Sequence, residues 1–444
     1  MSVKKVLLTL LIVSAVGLTV GVNPSLRVRA LAWSGDATPR PASLSDRLSS
    51  EMQISPSSTP EADRYKPAVA YNRTHNEYLV VWHNRWPNDH RDIYARRVSA
   101  TGQLLSWVGV SAVDHDRVQP SVAYNATNDE YLVVWMYNPS DDKSTYEIWG
   151  RRVAWNGIAV GPEFRIIQWA NRSFWTPRVV WNSVRNEYLV IWNALDTTTS
   201  LANDVAGYRV SADGNVINPG SPIIITDVNN PHQADVVYNV AADGYLVVWR
   251  RMSTVADGDI WGMRLNGDGT LNGTAFAINT ETVDQQAPAV ATNGQDRYLV
   301  VWQHQTMSVY WDIAGQYLNS SGNKVGDSFP IAAPDQHAKM PDVVAAGNGS
   351  NEYLTVWEQT MPTGTAIWAR RDRLVGNTTT PLNQFEVASG GFWENKSPAV
   401  AADRVGYLVV YEGDSTGDPT VYRHIYGRLW WPAAVYLPLV LRNY

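Results

Sequence analysis

The chain has no cysteine in its 444 residues. This removes disulfides, thiolate nucleophiles and Cys-ligated zinc together, so stability has to come from packing. Phenylalanine is scarce too, 6 residues against 20 Trp and 22 Tyr. Positive charge is also in deficit. Four of the 36 Lys and Arg (Lys4, Lys5, Arg27, Arg29) lie near the N-terminus, and the rest of the chain sets 32 bases against 42 acids, a net −10. That balance argues against a nucleic-acid partner or an anionic membrane held by counterion release. Long apolar runs are confined to the N-terminus and to a short tail.

The N-terminus reads as a secretory signal. Lys4-Lys5 opens it, residues 6–22 are apolar or small, and Ala30-Leu31-Ala32 offers a small-x-small cleavage site. The expected signal is therefore 1–32, and the protein is expected to be secreted or held at the cell surface. The apolar run of 17 residues is barely long enough to cross a bilayer. An uncleaved anchor is the alternative, and only that would bring the chain to a membrane. Residues 33–50, rich in Ser, Pro and Arg without apolar periodicity, read as a linker.

What is present in abundance is one hexapeptide. Glu77-Tyr78-Leu79-Val80-Val81-Trp82 returns as Tyr131 to Trp135, Tyr188 to Trp192, Tyr245 to Trp249, Tyr298 to Trp302, Tyr353 to Trp357 and, with Tyr replacing Trp, Tyr407 to Tyr411. Seven copies between Trp82 and Tyr411 give a period of about 55 residues, the range of solenoids, propellers and arrays. Ten of the Trp sit at repeat positions, so most of the aromatic excess is architectural.

Each unit contains the same four pieces. Pro-x-Val opens it at Pro67, Pro120, Pro177, Pro288, Pro341 and Pro398, with Ala234 in the fourth unit; Pro at a strand's first residue costs no ladder bond. The hexapeptide follows a polar turn and is apolar at successive positions, as in a strand covered on both faces. A third strand recurs as Asp92 to Val98, Glu147 to Val153, Asp259 to Leu265 and their counterparts, then pairs such as Asp213-Gly214 and Asn156-Gly157 supply a hairpin. The acid that opens this third strand recurs in five units, so it is expected to be structural, capping a turn or pairing with the repeated Arg. A short fourth strand reads Phe164-Arg-Ile166, Phe276-Ala-Ile278, Phe329-Pro-Ile331 and Phe385-Glu-Val387.

Four antiparallel strands per unit, buried against neighbours on both faces, make one propeller blade. The fold expected is all-β, a seven-bladed β-propeller over 51–430, with blades opening near 67, 120, 177, 234, 288, 341 and 398. The last unit lacks a fourth strand, and Met52-Gln-Ile54 supplies it from the other end, so residues 51–55 are expected to complete blade 7 and remove an open edge. The repeat resembles exported bacterial seven-bladed propellers built on Glu-Tyr-Leu-Val-Val-Trp, a resemblance that implies fold and little about function. The apolar tail, 431–444, resembles short Tyr-Leu-Pro-Leu-Val-Leu endings of exported bacterial proteins, which would make it a recognition or retention tag; a strand or cap under the propeller is the alternative.

Function is expected on the rim of variable loops, which joins strand four to the next strand one and strand two to strand three. Seven of the eight His fall in or beside those loops. Trp86, Trp169, Trp175, Trp311 and Trp393, with His232 and His337, are the candidate ligand-binding residues, because sugar rings ask for an apolar face to stack on and polar groups at the edge. These rings filling gaps between uneven loops is the competing reading. At the channel, the residue after the opening Pro is small in four units but charged as Arg178, Asp235 and Asp342. Two carboxylates beside an Arg form a candidate catalytic set, and a solvated, salt-bridged lining is the plainer reading. Glu358 and Glu412, each following the strand-two aromatic, are weaker candidates. His83, His90 and Asp92 match no ligand spacing, so no metal or other cofactor is assigned, and calcium in the channel has no residue pattern behind it. The leading expectation is an extracellular binding propeller for a glycan or a protein surface. A glycoside hydrolase or polysaccharide lyase working at the channel mouth, and a cell-surface scaffold, are the alternatives.

Overall fold

The computed structural model describes residues 47–432, apart from 57–61, 112–114, 141–143, 198–200, 227–230, 255–256, 307–309, 333–336, 363, 390–394 and 415–421. The expected signal, most of the expected linker and nearly all of the tail lie outside the described residues. Those residues are all strand and turn, with no helix among them. They form seven antiparallel sheets. The first strands of the blades are Asp63–Asn72, Asp116–Asn125, Arg172–Asn182, Pro231–Asn239, Gln285–Thr292, Ala338–Ala345 and Lys396–Ala402. Each touches the first strands of both neighbouring blades, blade 7 meeting blade 1, so the ring closes as a seven-bladed β-propeller.

The hexapeptide is the second strand of every blade, and its burial follows from having a blade on each side. In blade 1, Tyr78, Val80 and Trp82 pack with Ile54, Leu408 and Val410 of the last blade, while Leu79 and Val81 pack with Val122 and Tyr124 of the second. Trp82, Trp135, Trp192, Trp249, Trp302 and Trp357 are all essentially inaccessible to solvent. The Glu that opens the hexapeptide holds the repeated Arg of strand three: Arg97 to Glu77 at 2.7 Å, Arg152 to Glu130 at 2.9 Å and Arg209 to Glu187 at 2.7 Å. Pairing of that Arg with the acid opening its own strand is thereby corrected. Asp92 instead accepts from Trp86 and His90, Glu147 from Trp149, and Asp204 pairs with Arg172.

The Asn that ends the first strand does two jobs. Its Oδ1 accepts the turn N–H groups, as Asn182 does from Val184 and Arg185 at 3.0 Å, an Asx turn. In blades 2 to 4 its Nδ2 also reaches the next blade: Asn125 donates to Asn186 Oδ1, Asn182 to the Tyr245 hydroxyl at 2.9 Å and Asn239 to Gln295 O. Asp403 takes over in blade 7, accepting from Gly406 N–H at 2.6 Å and from the Tyr78 hydroxyl at 2.8 Å across the closing seam.

The fourth strands of blades 1 and 3, Leu104–Ser111 and Ile223–Thr226, lack the Phe-x-Ile signature that marks this strand elsewhere. Where the signature is present it packs over a small third-strand residue: a Cβ at Gly315 would lie 2.9 Å from Ile331 and 3.1 Å from Phe329. Blade 7 is completed by the N-terminal segment. Met52–Gln53 pairs with His424–Trp431, Met52 opposite Gly427 and Gln53 opposite Tyr426. Arg47–Leu48 continues the pairing opposite Trp431 and Trp430, inside the stretch expected as linker.

Candidate functional site

Every first strand is interrupted at the same place. A β-bulge separates Tyr65 from Ala68, Val118 from Ser121, Trp175 from Arg178, His232 from Asp235, Gln286 from Ala289, Lys339 from Asp342 and Lys396 from Ala399. The bulged residues Lys66, Gln119, Thr176, Gln233, Ala287, Met340 and Ser397 all have φ between 48° and 53°. None is glycine, and six precede a proline, which ordinarily holds its predecessor in extended geometry. A bulge re-aims the side chains beside it. Here it turns two successive rings of residues into the central channel, a cavity of about 450 Å³.

In four blades the strained N–H is secured from the preceding blade by the residue that follows its strand-two aromatic, and in a fifth Ala287 N–H donates to Gln233 Oε1 at 2.8 Å. Ser397 N–H donates to Glu358 Oε1 at 2.6 Å, Met340 N–H to Gln303 Oε1 at 2.8 Å and Lys66 N–H to Glu412 Oε1 at 3.5 Å. Thr176 N–H reaches the Met136 sulfur at 3.4 Å. Glu358 and Glu412, the weaker acid candidates, therefore lie beneath the bulges as ties between blades. Burial raises the Glu358 carboxyl above its ordinary range, opposed first by the Ser397 N–H.

Arg178, Asp235 and Asp342 all line this channel. Arg178 Nε lies 3.4 Å from Asp235 Oδ1, and the Arg178 side chain keeps 45% of its exposure. Asp235 Oδ2 accepts the N–H of Val290 in the next blade at 2.9 Å. Asp342 has both oxygens engaged, Oδ1 by Val343 N–H and Oδ2 by Val400 N–H, each at 2.9 Å. Ser121 does the same for Val179 N–H at 3.3 Å. Burial raises the Asp235 carboxyl, with Arg178 opposing. Burial and then the charge of Asp235 push the Asp342 carboxyl up to about 7. Around these groups the mouth is mixed: Gln119, Thr176, Gln233 and Ser397 are polar, Ala287 and Met340 apolar, and the Lys66 ammonium donates to Ser397 Oγ at 2.9 Å.

The rim candidates are more deeply set than free-standing platforms. Trp86 is half-buried and donates through Nε1 to Asp92 Oδ2 at 2.8 Å, while His90 Nε2 lies 2.9 Å from Asp92 Oδ1. Both Asp92 oxygens are thus occupied. His83 is fully buried, stacked at 5.5 Å on Tyr65, and burial lowers its pKa to about 3. Trp169 packs edge-on against Phe174 at 6.3 Å, and Trp175 against Tyr146 at 4.8 Å, directly preceding the channel residue Thr176. Trp311 is half-buried at the start of its strand, opposite Gln305. His232 is half-buried with its pKa lowered by burial and by Arg250, which lies opposite it. His337, at φ 48°, has its ring 4.7 Å from Tyr310. Trp393 lies outside the described residues. Among the described residues no three His, Asp or Glu come together as a metal-binding group.

The first channel ring, Lys66, Gln119, Thr176, Gln233 and Ser397, escapes a reading of the sequence because nothing in these residue types signals a left-handed backbone. The only available mark was their common place before the unit's opening residue.

No family model matches the chain, and no curated protein compared with it matches. Among solved structures it is similar to a protein of unknown function from Dyadobacter fermentans, 9% identical with a TM-score of 0.52, over 87% of this chain and 99% of that one. It is also similar to the β-propeller domain of the Trilobed protease from Pyrococcus furiosus (11% identical, TM-score 0.48, 84% and 95% covered) and to the intramolecular trans-sialidase from Ruminococcus gnavus (7%, 0.45, 84% and 95%). At these identities the likeness is one of fold alone.

Proposed function

We propose that the chain is an exported glycan-binding propeller in which the channel mouth takes a terminal sugar and the half-buried aromatics beside it, Trp175 foremost, flank the rest of the ligand. The carrying observation is the chemistry of the mouth. Amides, hydroxyls, one ammonium and one ion pair face a cavity of about 450 Å³, within the ~300–1,000 Å³ of ordinary small-molecule sites. Mixed donors and acceptors of this kind suit the hydroxyls of a sugar better than an apolar or strongly charged ligand.

A hydrolase or lyase is the second reading, favoured by one observation: the Asp342 carboxyl is held near 7 beside a second carboxylate, as an acid and base pair would be. Against it, both Asp342 oxygens are engaged by backbone N–H groups. An acid or nucleophile needs an oxygen turned to the substrate.

The test is a panel of polysaccharides scored at once for retention by the protein and for reducing-end release. Arg178→Gln, which removes the ion pair to Asp235 but not the backbone N–H bonds to either carboxylate, and Asp235→Asn/Asp342→Asn serve as comparisons. Retention without release, weakened in Arg178→Gln, supports the proposal. Release lost in the double variant replaces it with the enzyme, and silence in both assays points to a protein partner or a surface scaffold.

A further inference from the structure

Blade 6 breaks the repeat where the repeat is otherwise most uniform. Thr355 stands where the six other blades have Val80, Val133, Val190, Val247, Val300 and Val409. Asp372, opposite Tyr353, stands where the others place Val98, Val153, Val210, Leu265, Leu318 and Trp430 opposite the same Tyr. In the facing blade, Tyr317 replaces the Arg that elsewhere pairs with the hexapeptide Glu, and the hexapeptide itself begins with Arg297 instead of Glu. All three residues are fully buried: Tyr317, Thr355 and Asp372 are each 0% exposed.

They meet at one interface. Tyr353, Thr355 and Trp357 share a face of their strand with Arg370 and Asp372 on the next, because residues two apart in a strand point the same way. That face packs on blade 5, since Tyr317, Leu299 and Val301 cluster with Tyr353 and Trp357, and the Tyr317 ring lies 5.5 Å from that of Tyr353. Arg370 spans the seam: its Nη1 donates to Pro330 O and Ile331 O at 2.9 and 2.8 Å, and its Nε and Nη2 to Asp372 Oδ1 at 3.0 and 2.7 Å.

One atom on each of the three side chains is left over. Tyr317 Oη, Thr355 Oγ1 and Asp372 Oδ2 are buried without a hydrogen-bond partner, so none bonds to either of the others. An unmade bond on a buried polar group is costly, and native folds fill such places with ordered water or an ion. Charge chooses between these. Asp372 is already matched by Arg370, so a cation would leave an uncompensated positive charge in a dry interface. A neutral molecule that both donates and accepts matches a carboxylate oxygen and two hydroxyls.

We propose that the seam between blades 5 and 6 holds a binding site for a single internal water, bridging Tyr317 Oη, Thr355 Oγ1 and Asp372 Oδ2. The site explains why the two core positions of blade 6 turned polar together with Tyr317 across the seam. It is independent of any ligand in the channel.

Two measurements test it. A high-resolution crystal structure of the full chain, from crystals grown in sodium and soaked in rubidium or thallium, should show one peak at hydrogen-bond distance, about 2.6–3.2 Å, from all three atoms and without anomalous signal. An anomalous peak there would replace the water with a monovalent cation, and direct bonds among the three side chains with no peak would remove the site. In solution, Thr355→Val, Tyr317→Phe and the double variant are compared by urea midpoint. If one water joins the hydroxyls, the double variant's loss is smaller than the sum of the single losses, although the two groups do not touch. Strict additivity would overturn the shared site.

Discussion

Replacing Asp342 by asparagine should invert in effect between acid and alkaline solution. The Asp342 carboxyl titrates near 7 in the fold against an ordinary value of 3.8. Between those values the folded chain holds a proton that the unfolded chain has lost, so this group's contribution to stability falls as pH rises from about 4 to about 7. At about 1.4 kcal/mol per pH decade, the full cost above pH 8 is up to about 4 kcal/mol. Asparagine abolishes that titration but has a single acceptor oxygen for the two N–H groups of Val343 and Val400. The unmatched N–H costs about 1–3 kcal/mol at every pH. Urea denaturation followed by tryptophan fluorescence should therefore find Asp342→Asn less stable than the parent at pH 4, where little of the carboxyl's cost has yet been met, and more stable by about 1–3 kcal/mol at pH 8.5. Asp235, raised in the same direction, keeps some pH dependence in both proteins. Parallel stability curves across this range would refute the account of the channel.

Trp302→Ala, at a position 1% exposed, should cost about 3–5 kcal/mol and be visible as a large drop in thermal midpoint by scanning fluorimetry. Removing residues 1–55 should strip blade 7 of its outer strand and give aggregation by light scattering, whereas removing 1–46 should leave a monodisperse protein; equal behaviour of the two would count against closure by this segment. Gly427→Val should mimic the larger deletion, because any Cβ there lies 2.6 Å from the Ile54 side chain that locks the closing segment. Asn182→Ala should lose both its turn and its Tyr245 tie, costing about 1–3 kcal/mol with no change in glycan retention.

The blade count and the closing strand were legible because they rest on side-chain chemistry that repeats: a two-sided apolar strand and a Gly pair at a hairpin. The repeated Pro marked the right strand but not its start: Pro67 lies within Asp63–Asn72, at the bulge where the ladder is already interrupted, and so costs no ladder bond there. The outer strands of blades 1 and 3 were not legible, since Leu104–Ser111 and Ile223–Thr226 carry no Phe. The partner of the third-strand Arg was misplaced for a related reason. Spacing along one strand puts Arg97 near Asp92, but the sheet sets Arg97 opposite Leu79, within reach of Glu77.

The channel could be read only in part, and the reason lies in the backbone. Arg178, Asp235 and Asp342 stood out as charges breaking a pattern of small residues, and they do share the cavity. That two of them spend oxygens on N–H groups of the following blade could not be seen, because the bulge that presents those N–H groups has no residue signature. Lys66, Gln119, Thr176, Gln233, Ala287, Met340 and Ser397 share a conformation and a place before the unit's opening residue, but no side-chain type. A left-handed residue before Pro is costly, and in five blades a side chain of the neighbouring blade accepts the N–H of that residue: Lys66, Thr176, Ala287, Met340 and Ser397. On the proposed binding role, a largely polar ring with its acids already engaged suits recognition of a ligand, and it would have to release a carboxylate oxygen from the backbone before it could transform one.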